Sequence, residues 1–228
     1  MKKLSLLSLF LILSLSAFSQ VKFGVRTGWA STINRVNDLD NTDGNTYSTY
    51  KNSFAFTFGP QLDFSITDNS AFVTGLWFTT LNTSYNLTQP GYTFNVVNNA
   101  QLLSLPLGFK GYTNEIMTDG KIYFSCLGIA DVKVSEKYKS SSYNLIVPAP
   151  YDYQRKYQSL FGASVQLSTG LDLTLGESTA VYGGIFFNHD LFNRTSAKHL
   201  DDNKNRAQYN ELFTLKHSQI GLELGVKF

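Results

Sequence analysis

Ser53-Phe54-Ala55-Phe56-Thr57-Phe58-Gly59-Pro60-Gln61-Leu62-Asp63-Phe64-Ser65-Ile66 alternates without a break. Phe54, Phe56, Phe58, Pro60, Leu62, Phe64 and Ile66 fall in one row; Ser53, Ala55, Thr57, Gly59, Gln61, Asp63 and Ser65 fall in the other. Successive side chains of a strand point to opposite faces, so this segment has one greasy wall and one small, polar wall. Residues 161–175 and 219–228 repeat the rule, as do 21–30 and 103–112. All run longer than the roughly 5–6 residues of an ordinary soluble strand.

Three further segments complete the set less cleanly. Residues 72–81 are apolar on both faces, residues 121–135 change phase and suggest a bulge near Gly128, and residues 181–193 are rich in glycine and aromatics. Thr67-Asp68-Asn69-Ser70, residues 114–120 and Gly176-Glu177-Ser178-Thr179 read as short turns. Residues 31–52, 82–101, 136–158 and 193–211 read as long polar loops. Short and long links in alternation predict an eight-stranded, antiparallel, up-and-down β-barrel, with both chain ends on the short-turn side.

Alternation alone does not say which wall faces out. The polar wall is mostly Gly, Ser, Thr, Ala and Gln, which suits a crowded lumen better than a water-facing surface. The runs exceed the roughly 9–11 residues of a tilted membrane strand, and closure is how a sheet satisfies its backbone in lipid. The chain ends on Phe228 after Leu222, Leu224 and Val226, the pattern of an assembly signal for outer-membrane barrels. The expectation is therefore a transmembrane barrel in the outer membrane of a Gram-negative bacterium, apolar outside.

Composition agrees. Of 228 residues, 43% are apolar and only 16% charged, against about 25% charged in soluble domains; mean hydropathy is −0.13. Lys2 and Lys3, an apolar run to Leu15 and the small pair Ala17 and Ser19 predict a cleavable signal peptide over 1–19, leaving 20–228 as the barrel domain. Removing 1–19 takes away two lysines and no acid, so 17 charges of each sign remain. A neutral chain offers nothing to nucleic acid. One cysteine, Cys126, excludes a disulfide framework and reads as inert packing.

Leu102-Leu103-Ser104-Leu105-Pro106-Leu107-Gly108-Phe109-Lys110, the opening Val21-Lys22-Phe23-Gly24-Val25-Arg26-Thr27-Gly28 and the ending Gly221-Leu222-Glu223-Leu224-Gly225-Val226-Lys227-Phe228 resemble the fourth, first and last strands of the Bacteroidetes outer membrane β-barrel family, often labelled PorT-like. The resemblance implies architecture rather than activity. Ser104 stands where that family usually carries an acid.

The strand phase points Lys22, Arg26, Asp63, Lys110, Asp172, Glu223 and Lys227 into the lumen, where charges must pair. That predicts a side-chain-plugged barrel with a structural or surface-interaction role; a narrow porin-like channel and a secretion-system accessory are the alternatives. Ten of the 13 tyrosines (Tyr47, Tyr50, Tyr85, Tyr92, Tyr138, Tyr143, Tyr151, Tyr153, Tyr157 and Tyr209) fall in the long loops or at their edges. They read as an interfacial girdle, and Tyr151, Tyr153, Arg155 and Tyr157 as a contact surface for an extracellular protein or glycan. His189-Asp190 and His217-Ser218 lie near outer strand ends, but neighbours in a strand face opposite walls, so no catalytic set is expected. Asp38-Leu39-Asp40-Asn41-Thr42-Asp43-Gly44 is one residue off calcium-loop spacing and reads as turn chemistry. Pro60 and Pro106 each remove a ladder donor, and a local bulge is expected at both. No cofactor or metal is expected. The partners are outer-membrane lipids and the barrel assembly machinery, and the chain is expected to be a monomer.

Overall fold

The computed structural model describes residues 21–38, 47–50, 53–89, 92–143, 155–156, 160–176, 178–192, 195–198 and 211–228. The described residues form twelve strands and no helix: β1 (Val21–Asp38), β2 (Tyr47–Tyr50), β3 (Ser53–Thr67), β4 (Ser70–Gly75), β5 (Trp77–Gln89), β6 (Tyr92–Tyr112), β7 (Gly120–Tyr143), β8 (Arg155–Lys156), β9 (Phe161–Thr174), β10 (Ala180–Asp190), β11 (Thr195–Lys198) and β12 (Glu211–Lys227). Every pairing is antiparallel. β1 joins β3, β3 joins both β4 and β5, these join β6, and the order continues through β7, β9, β10 and β12. β12 then pairs back onto β1 from Gly24↔Lys227 to Asp38↔Phe213. With β4 and β5 as two parts of one strand, eight strands close a ring. Residues 1–19, the expected signal peptide, lie outside the described residues.

The wall assignment follows directly. Along β3 burial alternates residue by residue, with Phe54, Phe56 and Phe58 exposed outside and Ala55, Thr57, Gln61 and Asp63 buried inside. Trp29, Phe109, Phe124, Leu167, Ile185, Leu222 and Leu224 continue the exposed band around the other strands. Burying apolar surface is the main favourable term of folding in water, so a belt left open on every side needs another solvent: lipid.

The first and last described residues sit with the short turns, where the Phe228 amide donates to the Phe23 carbonyl at 2.7 Å. Asp119 takes a positive φ of 60° in the turn between β6 and β7, a left-handed position that Asp tolerates. On the opposite side the expected long loops are shorter than their polarity suggests. Residues 82–89 and 92–101 continue the β5–β6 ladder to Gln89↔Tyr92, and β6 stays paired with β7 to Thr93↔Tyr143. The sequence of these stretches loses its alternation while the ladder's backbone pairing continues.

Neither proline makes a bulge. Pro60 pairs with Val25, and Pro106 with Ile129, inside unbroken registers. The Leu76 amide donates to the Pro60 carbonyl at 3.1 Å, but Pro60 has no N–H to return. The same register sets Gly75 beside Pro106. Donors are thus missing on both sides of one spot, and the strand is interrupted there, between β4 and β5. The phase change expected near Gly128 is also absent: β7 pairs with β9 without a shift from Gly120 to Val132. The irregularity falls at Val134, which is left over between Gln101↔Ser135 and Leu102↔Lys133. Apolar Leu127 and Ile129 point inward, which produced the apparent change of phase.

Candidate functional site

Among the described residues, the lumen gathers buried charge. Arg26, on β1, lies beside Glu223, on β12, with an Nη2–Oε2 distance of 2.8 Å; its Nε donates to the same oxygen at 2.9 Å. Gln166 accepts from Arg26 Nη2 at 3.3 Å. The guanidinium carbon stands 4.1 Å from the centre of the Trp77 ring and 5.2 Å from that of Phe186, two favourable cation–π contacts. Tyr123 Oη donates to Glu223 Oε1 at 2.6 Å, although β9 and β10 separate their strands. The ladder explains the reach. Tyr123 is paired with Gly170, Gly170 with Gly184, and Gly184 with Glu223. With no side chain on the two intervening positions, the phenol crosses two strands. A Cβ on Gly184 would lie 2.4 Å from Tyr123 Oη.

A second charged layer lies toward the turns. Lys227 pairs with Asp172, and stands 3.8 Å from Asp63. Lys110 Nζ is 3.9 Å from Asp172, and lies 4.0 Å and 3.9 Å from the ring centres of Tyr123 and Tyr182. Gln61 Nε2 donates to Asp63 at 2.7 Å, and Tyr182 Oη donates to Gln61 Oε1 at 3.2 Å. Lys227 Nζ donates to Tyr112 Oη at 3.3 Å. Three cations face three acids across the two layers, and all six are buried. Buried charge of this kind is tolerable because each group faces an opposite charge; hydrogen bonds add to Arg26, Glu223, Lys227 and Asp63, and two tyrosine rings to Lys110.

The loop-side half of the lumen is mostly uncharged. Thr57, Thr79 and Ser104 form a hydroxyl chain with spacings of 3.2 and 3.3 Å, ending where Ser104 donates to Asp131. Ser104 thus meets an acid from the neighbouring strand β7. Two voids flank the Arg26 layer: about 10 Å³ beside Lys110, Ser168 and Tyr182, and about 20 Å³ beside Trp77, Asp131 and Asn188. Each is about the size of a single water molecule.

Six of the seven expected lumen charges meet in these layers. Lys22 has the inward phase but is exposed, because it stands one rung from the turn-side end of the β1–β3 ladder. The partners that sequence reading missed are aromatic and amide groups: Trp77, Tyr112, Tyr123, Tyr182, Phe186, Gln61 and Gln166. The three tyrosines are those that lie in none of the long loops. Gly170, Gly183-Gly184 and Gly225 signal where they lie; Tyr182 packs over Gly225.

The histidines differ from expectation in one respect. Neighbours along each strand do split between the walls, but cross-strand partners share one. His189 is paired with Ser218, and Nδ1 lies 2.8 Å from Oγ on the outer wall. His217 Nδ1 lies 3.1 Å from Asp190 Oδ2 inside. A base thus does meet a hydroxyl, while the carboxylate that could orient it points to the other side of the sheet. Of the expected assembly-signal residues, Leu222, Leu224 and Phe228 are exposed on the outer wall and Val226 is half-buried. Arg155 lies in β8, paired with Ala197. Tyr151, Tyr153 and Tyr157, and residues 39–46 of the acidic loop, lie outside the described residues. Cys126 is exposed on the outer wall.

No protein-family model and no curated protein matches the chain. Among solved structures it is similar to the outer membrane protein OprG from Pseudomonas aeruginosa, at 12% identity and TM-score 0.47, covering 91% of this chain and 95% of that one. It is similar to the outer membrane protease OmpT from Escherichia coli at 10% identity and TM-score 0.48, covering 91% and 94%. Neisserial surface protein A gives 10% identity and TM-score 0.40, covering 88% and 95%. The architecture rests on the chain's own geometry: a closed antiparallel ring with an apolar exterior, the form in which sheets cross the outer membrane of Gram-negative bacteria. This chain is an outer-membrane β-barrel protein.

Proposed function

We propose that the protein is a non-enzymatic barrel whose lumen is closed by its own side chains, serving a structural or surface-interaction role through its loop-side end. The observation that carries this reading is the charge-balanced double layer around Arg26–Glu223 and Lys227–Asp172. It fills the bore from several strands at once and leaves space for single waters. The division of the histidine, serine and acid groups between two walls favours a non-enzymatic role. The motif resemblance to the Bacteroidetes PorT-like proteins belongs to this reading, and brings no secretion role with it. The loop-side surface, with Tyr151, Tyr153, Arg155 and Tyr157, is where a protein or glycan would bind.

Planar-bilayer recording tests the closed lumen. Purified protein is expected to give no steady openings, and reproducible unitary currents that scale with protein would replace this reading with the narrow pore. Pull-down from native membranes, with the 144–159 segment intact or trimmed, tests the surface role; the same partners recovered from both forms would remove the loop from it.

A further inference from the structure

Buried polar atoms are nearly always hydrogen-bonded, so a group of them without partners marks a place that something else fills. In the loop-side half of the lumen Thr32 Oγ1, Ser164 Oγ, Asn188 Oδ1 and His217 Nε2 have no hydrogen-bond partner. Each of these four side chains is at least nine-tenths buried. They come from β9, β10, β12 and β1, which are neighbours in that order. Gln166, Asn188, Gln219 and Thr32 are paired in one inward row. In the next row toward the loops Ser164 is paired with Asp190, and Asp190 lies 3.1 Å from His217. Inward side chains of an eight-stranded ring converge on its axis. The void of about 20 Å³ lies at this level, bounded by Asn188, Gln219, Gln166 and Asp131 among others.

We infer that this half of the lumen binds an ammonium group, either the free ion or the charged head of a primary amine. The unpartnered atoms dictate the class. Ring Nδ1 and the backbone amide of His217 both face Asp190 Oδ2, at 3.1 and 3.3 Å, so Nδ1 donates and Nε2 is left as an acceptor. Asn188 Oδ1 only accepts, and the Thr32 and Ser164 hydroxyls can do so. An occupant must therefore bring several hydrogen-bond donors to one spot. Asp131 at the void and Asp190 behind the ring favour a positive charge on it. Ammonium combines the two properties, and it matches a void the size of a single water. A metal ion such as sodium brings no hydrogen to Nε2. The inference goes beyond the surface role, which belongs to the loops, and its readout is binding rather than current.

Nuclear magnetic resonance of the purified barrel in non-ionic micelles, with isotope-labelled histidine nitrogens, reads the site at fixed pH and ionic strength. Ammonium chloride and methylammonium chloride should each move the His217 Nε2 resonance saturably. Sodium chloride should not, nor should tetramethylammonium chloride, which carries the charge without an N–H. His189, on the outer wall, should stay still in all four salts. Losing one acceptor of a charged donor weakens binding by about tenfold or more. Asn188→Leu should therefore raise the midpoint by that factor and Ser164→Ala by less, while Ser31→Ala, exposed beside Thr32, should leave it unchanged. A response to ammonium alone assigns the free ion, and a response to both assigns the amine head. The absence of a saturable response to either overturns the inference and leaves the void to water. So does an equal response to sodium, or an unchanged midpoint in Asn188→Leu.

Discussion

Glu223 has three polar partners, Arg26, Gln166 and Tyr123, and each comes from a different strand. Replacing it by leucine leaves Arg26 buried without its counter-charge, and the cost should be about 3–5 kcal/mol in a denaturant titration of the micelle-bound barrel. Adding Arg26→Met should recover most of that loss, because an apolar pair asks for no compensation. A double variant as unstable as the single one would mean that Arg26 contributes chiefly by packing on Trp77 and Phe186. Gly184 tests the same row of the ladder. A Cβ there would come within 2.2 Å of the Thr169 carbonyl and 2.4 Å of Tyr123 Oη. Gly184→Ala should therefore destabilise by about 1–3 kcal/mol, measured the same way, with Tyr123→Phe relieving only the phenol part. The charges of this network were legible from strand phase alone. Its aromatic half was not, since a tyrosine's reach depends on which residues lie on strands remote in sequence.

β12 separates the two sides of the wall clearly. Glu223 and Lys227 face inward while Leu222, Leu224 and Phe228 face out. Leu222→Lys places a charge on the belt and should cost about 2–4 kcal/mol if it lies near the bilayer centre; a change near zero would point to water on that face. Deleting Phe228 should lower the heat-modifiable, membrane-inserted fraction in cells, and unchanged insertion would remove the assembly-signal role. The prolines show how far an element can be read from its own residues. Pro60 and Pro106 announce lost donors, but the place where the two losses coincide, at Leu76, depends on the registers of β3 and β6 against the strand between them. Strand length was misread for a related reason. Alternation marks only the part of a strand that separates two solvents, and the ladder of β5, β6 and β7 continues past it.

For the molecule as a whole, the orientation of the wall is the property from which location follows. Cys126 reports on it, because it lies exposed on the outer face between Phe124 and Gly128. In vesicles it should resist a charged thiol reagent and react after unfolding; rapid labelling of the folded barrel would place that face in water. Period-two alternation and small polar inward residues were enough to point to a membrane barrel, because these are local constraints that each strand satisfies alone against lipid. The partners of each charge, the crossing of Tyr123 over Gly170 and Gly184, and the pairing of His189 with Ser218 and of Asp190 with His217 were decided only by tertiary structure. Each depends on register between strands, and register is set by closure of the whole ring.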